Sequence, residues 1–330
     1  MRFVPLVALL SLGQPAAVQP LDGAFTLRAT PDGKVNINFQ YGDGRSNWGR
    51  TFERSELSNV SRNGDRVTFT MRREPGTFTF DGRGTPDRAA GWFDFTPNAE
   101  FQRGIEKLGF RDVDPKDLFV FAMDGLTLDG VRQLQRLISD TLDTDGLVKL
   151  INHGAGLRYI QSMTDAGFKN LRSDEYRRAR DHGVSAEMAR EMADLGLQLS
   201  LEELIRTRDH GVTAQFVRDM RAAGHKLSHE ELIRTRDHGV TVEYVKRMGQ
   251  LGYEGLPLNE YVRMRDHGVS PQFVEAMRDA GYPNLSANQI VRLRDHGVTA
   301  DYVRRLKEML KETPTVEQII RMKSSGLNAR

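Results

Sequence analysis

A pentapeptide, Arg-Asp-His-Gly-Val, recurs along much of this chain at nearly constant spacing, with its glycines at Gly183, Gly211, Gly239, Gly268 and Gly297. Weaker copies place Gly154 after Asn152-His153 and Gly125 after Met123-Asp124, and a last one falls at Gly326. Successive glycines stand 29, 29, 28, 28, 29, 29 and 29 residues apart. A constant period in the range of ~20–50 residues marks stacked repeats, in which one unit buries its apolar face only against the next.

Each unit carries the punctuation of two short helices. Ser200 reads as an N-cap with Glu203 as its capping-box partner, opening a helix that turns Leu204, Ile205 and Thr207 inward. It ends at His210, with Gly211 as the left-handed residue that stops it. Thr213 then caps a second helix, with Phe216, Val217 and Met220 inward and Gly224 at its close. Ser228/Glu231, Ser286/Gln289 and Thr315/Gln318 repeat the first box, and Asp114-Pro115 opens the earliest unit. Helices of about ten residues are below the ~12–15 at which an isolated helix is even marginal in water, so these are stable only when stacked. Most of the 12 methionines fall on the inward stripes and read as core filling.

Between Gly23 and Pro97 the period is two: Phe25/Leu27, Val35/Ile37/Phe39, Val67/Phe69/Met71, Phe78/Phe80 and Phe93/Phe95. The pairs Asp32-Gly33, Asp43-Gly44, Asn63-Gly64 and Asp81-Gly82 read as hairpin turns, and Trp48, Phe52 and Trp92 as further core or rim aromatics. The expected fold is therefore α+β: a small antiparallel β-domain over 23–97, able to close into a sandwich or roll, followed over 98–330 by an α-solenoid of about eight 28–29-residue helix pairs. Residues 1–20 hold Arg2, an apolar run to Leu12 and small residues near Ala16-Ala17, which is the pattern of a secretory signal. The expected location is the periplasm or the exterior, with no membrane span.

Composition narrows the chemistry. With no cysteine, disulfides, zinc-thiolate sites and cysteine nucleophiles are excluded, and a net charge of +2 gives no long-range field for nucleic acid. His182, His210, His238, His267 and His296 could form a metal ladder, but equivalent stacked helices lie ~8–10 Å apart, too far for two imidazoles to share an ion easily. They are expected instead to be structural donors at helix ends, beside Gly183, Gly211, Gly239, Gly268 and Gly297. The aspartate before each histidine, unfavourable at a helix C-terminus, calls for a partner, for which an arginine is the nearest candidate. Arg206, Arg234, Arg263 and Arg292 form a candidate binding row for an acidic partner. His229-Glu230-Glu231 lacks the second histidine of a zinc-protease motif, and Asp143-Thr144-Asp145-Gly146 is a cap rather than a calcium loop. No spacing singles out a catalytic pair among Asp43, Glu53, Glu56 and Asp94.

Several segments together resemble the extracytoplasmic C-terminal region of bacterial membrane zinc metallopeptidases of the antirepressor, penicillin-sensor-like family. They are Tyr41-Gly42 to Asn47-Trp48-Gly49, the stretch Phe52 to Leu57, Arg73-Glu74-Pro75-Gly76-Thr77-Phe78, Gly91 to Asn98 and the tandem His-Gly-Val-Thr units. The likeness spans roughly residues 23 to 326 and includes none of the protease part. It implies an exported accessory or sensing module. The function expected is a non-enzymatic scaffold for another protein or an envelope component, needing no cofactor. The alternatives are an enzyme with its site where the β-domain meets the array, and metal or polyanion binding by the His and Arg rows.

Overall fold

In a computed structural model, residues 21–41 and 46–326 are described; the segment expected to be a secretory signal and the turn expected at Asp43-Gly44 lie outside them. The chain forms two compact units that divide between Arg180 and Asp181.

The first unit opens with seven strands: β1 (Leu21–Ala29), β2 (Val35–Tyr41), β3 (Ser46–Phe52), β4 (Leu57–Asn63), β5 (Arg66–Arg73), β6 (Gly76–Thr85) and β7 (Arg88–Pro97). They make one sheet of order β3-β2-β1-β7-β6-β5-β4, every neighbour antiparallel. The sheet curls into a roll. Phe25 and Phe69 lie on strands three places apart, ~14 Å if the sheet were flat, yet their ring centroids are 5.6 Å apart. Helix α1 (Ala99–Lys107) follows, and then α2 (Pro115–Asp124), in which every residue from Leu118 to Met123 is buried. Phe119 of α2 enters the roll, where its ring meets those of Phe39, Tyr41, Phe78, Phe93 and Phe95 at 4.9–6.0 Å.

Two expectations for the sheet are corrected. Asp81-Gly82 is not a turn but lies within β6, where a Cβ on Gly82 would stand 2.6 Å from the Ala90 carbonyl oxygen; glycine is there for close strand approach. The chain reverses at Pro86-Asp87 instead. Trp92 is 70% exposed on the outer face, because the inward places on β7 belong to Phe93 and Phe95, whereas Phe52 is buried.

The helical pairs follow the sequence grammar. First helices are α2, α4 (Thr144–Asn152), α6 (Ser173–Asp181), α8 (Leu201–Asp209), α10 (His229–Asp237), α12 (Leu258–Asp266), α14 (Ala287–Asp295) and α16 (Val316–Ser324). Second helices are α3 (Leu128–Leu137), α5 (Leu157–Asp165), α7 (Ala186–Asp194), α9 (Ala214–Ala222), α11 (Val242–Met248), α13 (Pro271–Asp279) and α15 (Ala300–Leu310). The glycine after each first helix has φ between +64° and +80°. At Gly211 the amide donates to Arg208 O and that of Val212 to Thr207 O, the paired bonds of a Schellman end. Ser200, Ser228, Ser286, Thr315 and Asp114 all form capping boxes, and Asp143 caps α4 through Gly146 N. Like stacks on like: α2 on α4 and α3 on α5 in the first unit, and in the second α8 on α10, α14 on α16, and α7, α9, α11, α13 and α15 in series.

Candidate functional site

The recurring polar residues face the next repeat. Nδ1 of His182 meets Asp209 at 2.8 Å, that of His210 meets Asp237 at 2.6 Å, His238 meets Asp266 at 2.6 Å and His267 meets Asp295 at 2.7 Å. His296 closes the series on Ser324, which stands where the earlier units have aspartate. The aspartates are therefore partnered by the preceding repeat's histidine, not by arginine as the sequence suggested. With the carboxylate on Nδ1, that nitrogen carries the ring proton, and the donation gives the aspartate a partner at a helix end that is otherwise unfavourable to it. Among the described residues no group of three or more His, Asp or Glu could hold a metal ion.

The two arginines of each unit divide their work. The one beside the aspartate reaches back over the previous repeat: Arg236 lies over Phe216, Arg265 over Tyr244 and Arg294 over Phe273, each with its guanidinium carbon 5.1 Å from the ring centroid. Arg180 does so over Tyr159 and Lys323 over Tyr302. These aromatics stand five residues beyond the glycine. Tyr244 also donates to Val269 O, and burial pushes its phenol up to about 12, so it stays a donor at physiological pH. The outer row is less uniform. Arg206 pairs bidentately with Glu230 and Arg292 with Glu317, raising each guanidinium pKa and lowering each carboxylate's, with the shared hydrogen bond as the first cause. Arg263 pairs within its own helix with Glu260. The residues aligned with Glu230 are Asn259 and Asn288 in the units after Arg234 and Arg263, so no ion pair recurs there.

The first repeat keeps its caps but departs from the pattern at each of the His, Asp and Arg places, and a cleft of about 540 Å³ opens there. Met123-Asp124 replaces Asp-His, Ile151 of the following repeat stands where later repeats have the stacking cation, and Gly130 stands where five later repeats have a ring. The sheet supplies the missing cation. Arg73 of β5 donates to Ala122 O at 2.8 Å and Met123 O at 3.2 Å, pairs with Glu56 and lies over the Phe52 ring at 5.1 Å. Arg50 of β3 donates to Met123 O at 2.6 Å and to Asp124 at 2.9 Å. Two guanidiniums thus neutralise the negative end of α2 and satisfy carbonyls that no later turn reaches. Around the cleft, Lys34 pairs with Glu53 at 3.0 Å, Glu74 accepts from Leu128 N at 2.9 Å, and Arg158 is exposed. Sequence reading passed over Arg50, Arg73 and Gly130. The signal that could have found them was the missing ring and arginine in the first unit.

No protein-family model matches this chain, and no curated protein matches it.

Proposed function

We propose that the chain is an exported, non-catalytic scaffold whose helical repeats bind another protein or an envelope component, in keeping with the resemblance to a peptidase-associated extracytoplasmic module. One observation carries the reading: the recurring His, Asp and inner Arg residues join repeat to repeat, which leaves recognition to the places where units differ. The cleft beside Gly130 is one such place. Its carboxylates are engaged, Glu53 with Lys34, Glu56 with Arg73, Asp124 with Arg50 and Glu74 with a helix amide, which suits a charged recognition surface better than general acid and base work.

Photo-crosslinking tests this. With benzoylphenylalanine at Arg158 or at Arg234 in cells expressing the full chain, a discrete adduct of fixed mass is expected in the envelope fraction, with the chain shortened by its signal segment. A chain retained at full length in the cytoplasm, or one giving no adduct from either position, overturns the reading.

A further inference from the structure

The residue five places beyond the repeat glycine is Tyr159, Phe216, Tyr244, Phe273 or Tyr302 in five units, each ring lying under a cation from the next repeat. In the unit of Gly183 it is Met188, and the cation is Arg208. Nε of Arg208 keeps the usual station, 3.2 Å from where a Cβ on Gly183 would stand. There is no ring beneath it. A groove of about 220 Å³ opens here, lined by Gly183, Ser185, Met188, Arg208 and Thr213 among others. An apolar cavity of ~150 Å³ already holds benzene, so the space accommodates one aromatic ring.

We propose that this groove binds an aromatic side chain of a partner polypeptide, its ring against the Arg208 guanidinium as Phe216 lies against Arg236. The inference rests on the scaffold reading and locates an anchor point within it. The sister units hold the same arrangement within the chain, a ring under an arginine in four of them and under Lys323 in the fifth. The electrostatics match, since a guanidinium is attracted to the negative face of a ring and arginine with an aromatic anchor is the usual centre of an interface. The polar rim selects a peptide over a bare ring. Ser185 Oγ accepts from Met188 N and Thr213 Oγ accepts from Phe216 N, so each hydroxyl still has its own O–H to donate to an amide carbonyl. Met188 suits the floor of such a site, being half-buried, flexible and favourable against an aromatic ring.

The test uses the full chain with methyl-labelled methionine, the Met188 signal being assigned by its loss in Met188→Leu. N-acetyl-phenylalaninamide is expected to move the Met188 methyl upfield in a saturable manner, with at least a fivefold smaller response to N-acetyl-leucinamide. Saturation transfer to the probe's ring protons should vanish in Met188→Phe, which fills the slot with the residue of the sister units, and should fall severalfold in Arg208→Gln. Equal responses to the two amides, a shift confined to other methionines, or transfer unchanged in both variants would overturn the proposal. Benzyl alcohol binding as tightly as the amide would also overturn it, because the occupant would then be a free aromatic molecule. None of these results touches the crosslinks from Arg158 and Arg234, so the scaffold reading stands or falls separately.

Discussion

In the roll, five aromatic rings from β2, β6 and β7 converge on Phe119, and partners such as Phe25 and Phe69 are far apart in sequence. From Asp181 onward the His–Asp rungs join residues 27 or 28 apart and repeat four times. The roll therefore pools its stability in one cluster that forms or fails together. The repeats distribute theirs over many small, equivalent interfaces. The chain also carries a probe for each region. Both tryptophans, Trp48 and Trp92, are in the sheet, so fluorescence follows the roll while far-ultraviolet dichroism is dominated by the helices.

Phe119→Ala should do the most damage. Removing a fully buried phenylalanine costs ~3–5 kcal/mol, and here the cavity would lie at the meeting point of three strands. The expected result is a large drop in the urea midpoint by fluorescence and a smaller change in the dichroism transition of the second unit. Coincident shifts of equal size would mean that the two regions unfold as one.

Gly239→Val attacks the repeats instead. At φ +66° a β-branched residue is strained by about 1–2 kcal/mol or more, and Arg265 Nε lies 3.7 Å from where its Cβ would stand. The dichroism transition should fall or broaden while fluorescence stays in place. An unchanged melt would show that the left-handed glycine is not what ends α10.

How much of this was readable beforehand follows from the same contrast. Helix ends are local, so Ser200 with Glu203 and the glycine after His210 announce themselves within a few residues, and the stack follows from the period. The bond from His210 to Asp237 does not, because periodicity gives the spacing of units but not which polar atoms meet across it. The sheet hid more. All of β4 after Leu57 is exposed and carries no alternation, Gly82 mimics a turn, and Arg73 reaches α2 across 49 residues of chain. Trp92, expected at the core or the rim, is on the outer face, as the alternation of Phe93 and Phe95 along β7 requires.

Single rungs should matter little. His210 and Asp237 are 37% and 44% exposed, and pairs of that exposure contribute about 0–1 kcal/mol. His210→Ala should therefore lower the dichroism midpoint only slightly, and the triple change at His210, His238 and His267 should approach the sum. Micromolar zinc should leave the midpoint where it is, since stabilisation by a ligand requires a tight native-state site. A zinc-dependent rise lost in the triple variant would restore the metal ladder.

The outer arginines give an acid signature. Arg206 and Arg292 lower the native pKa of Glu230 and Glu317 below the ordinary 4.5, so their contribution is complete above that value and is lost as pH falls through the depressed native value. Arg206→Gln with Arg292→Gln should flatten the fall in helical stability between about pH 5 and 3 and change little near neutrality. If the double variant instead lost binding of the crosslinked partner at low salt with an unchanged melt, the row would be a recognition strip, screened over ~8–10 Å at physiological salt.

The smallest effect is expected at His229, where the repeat pattern and the local chemistry disagree. Neighbouring units have Leu201 and Leu258 at this position, yet here a side chain only 10% exposed is an imidazole. Thr207 Oγ donates to Glu203 O at 2.6 Å, so the hydroxyl accepts from His229 Nε2 at 2.8 Å. Nδ1 is then buried with no hydrogen-bond partner, 3.9 Å from carboxylates of both Glu203 and Glu230. Leucine would remove that orphan nitrogen and restore the apolar contact, and Thr207 would keep its bond to Glu203. Because an unsatisfied buried group costs ~1–3 kcal/mol and the lost Thr207 bond returns ~1, His229→Leu at pH 8 should be neutral to slightly stabilising by dichroism. A midpoint lowered by the equivalent of more than about 1 kcal/mol would show that the His229–Thr207 bond contributes more than the unpartnered nitrogen costs.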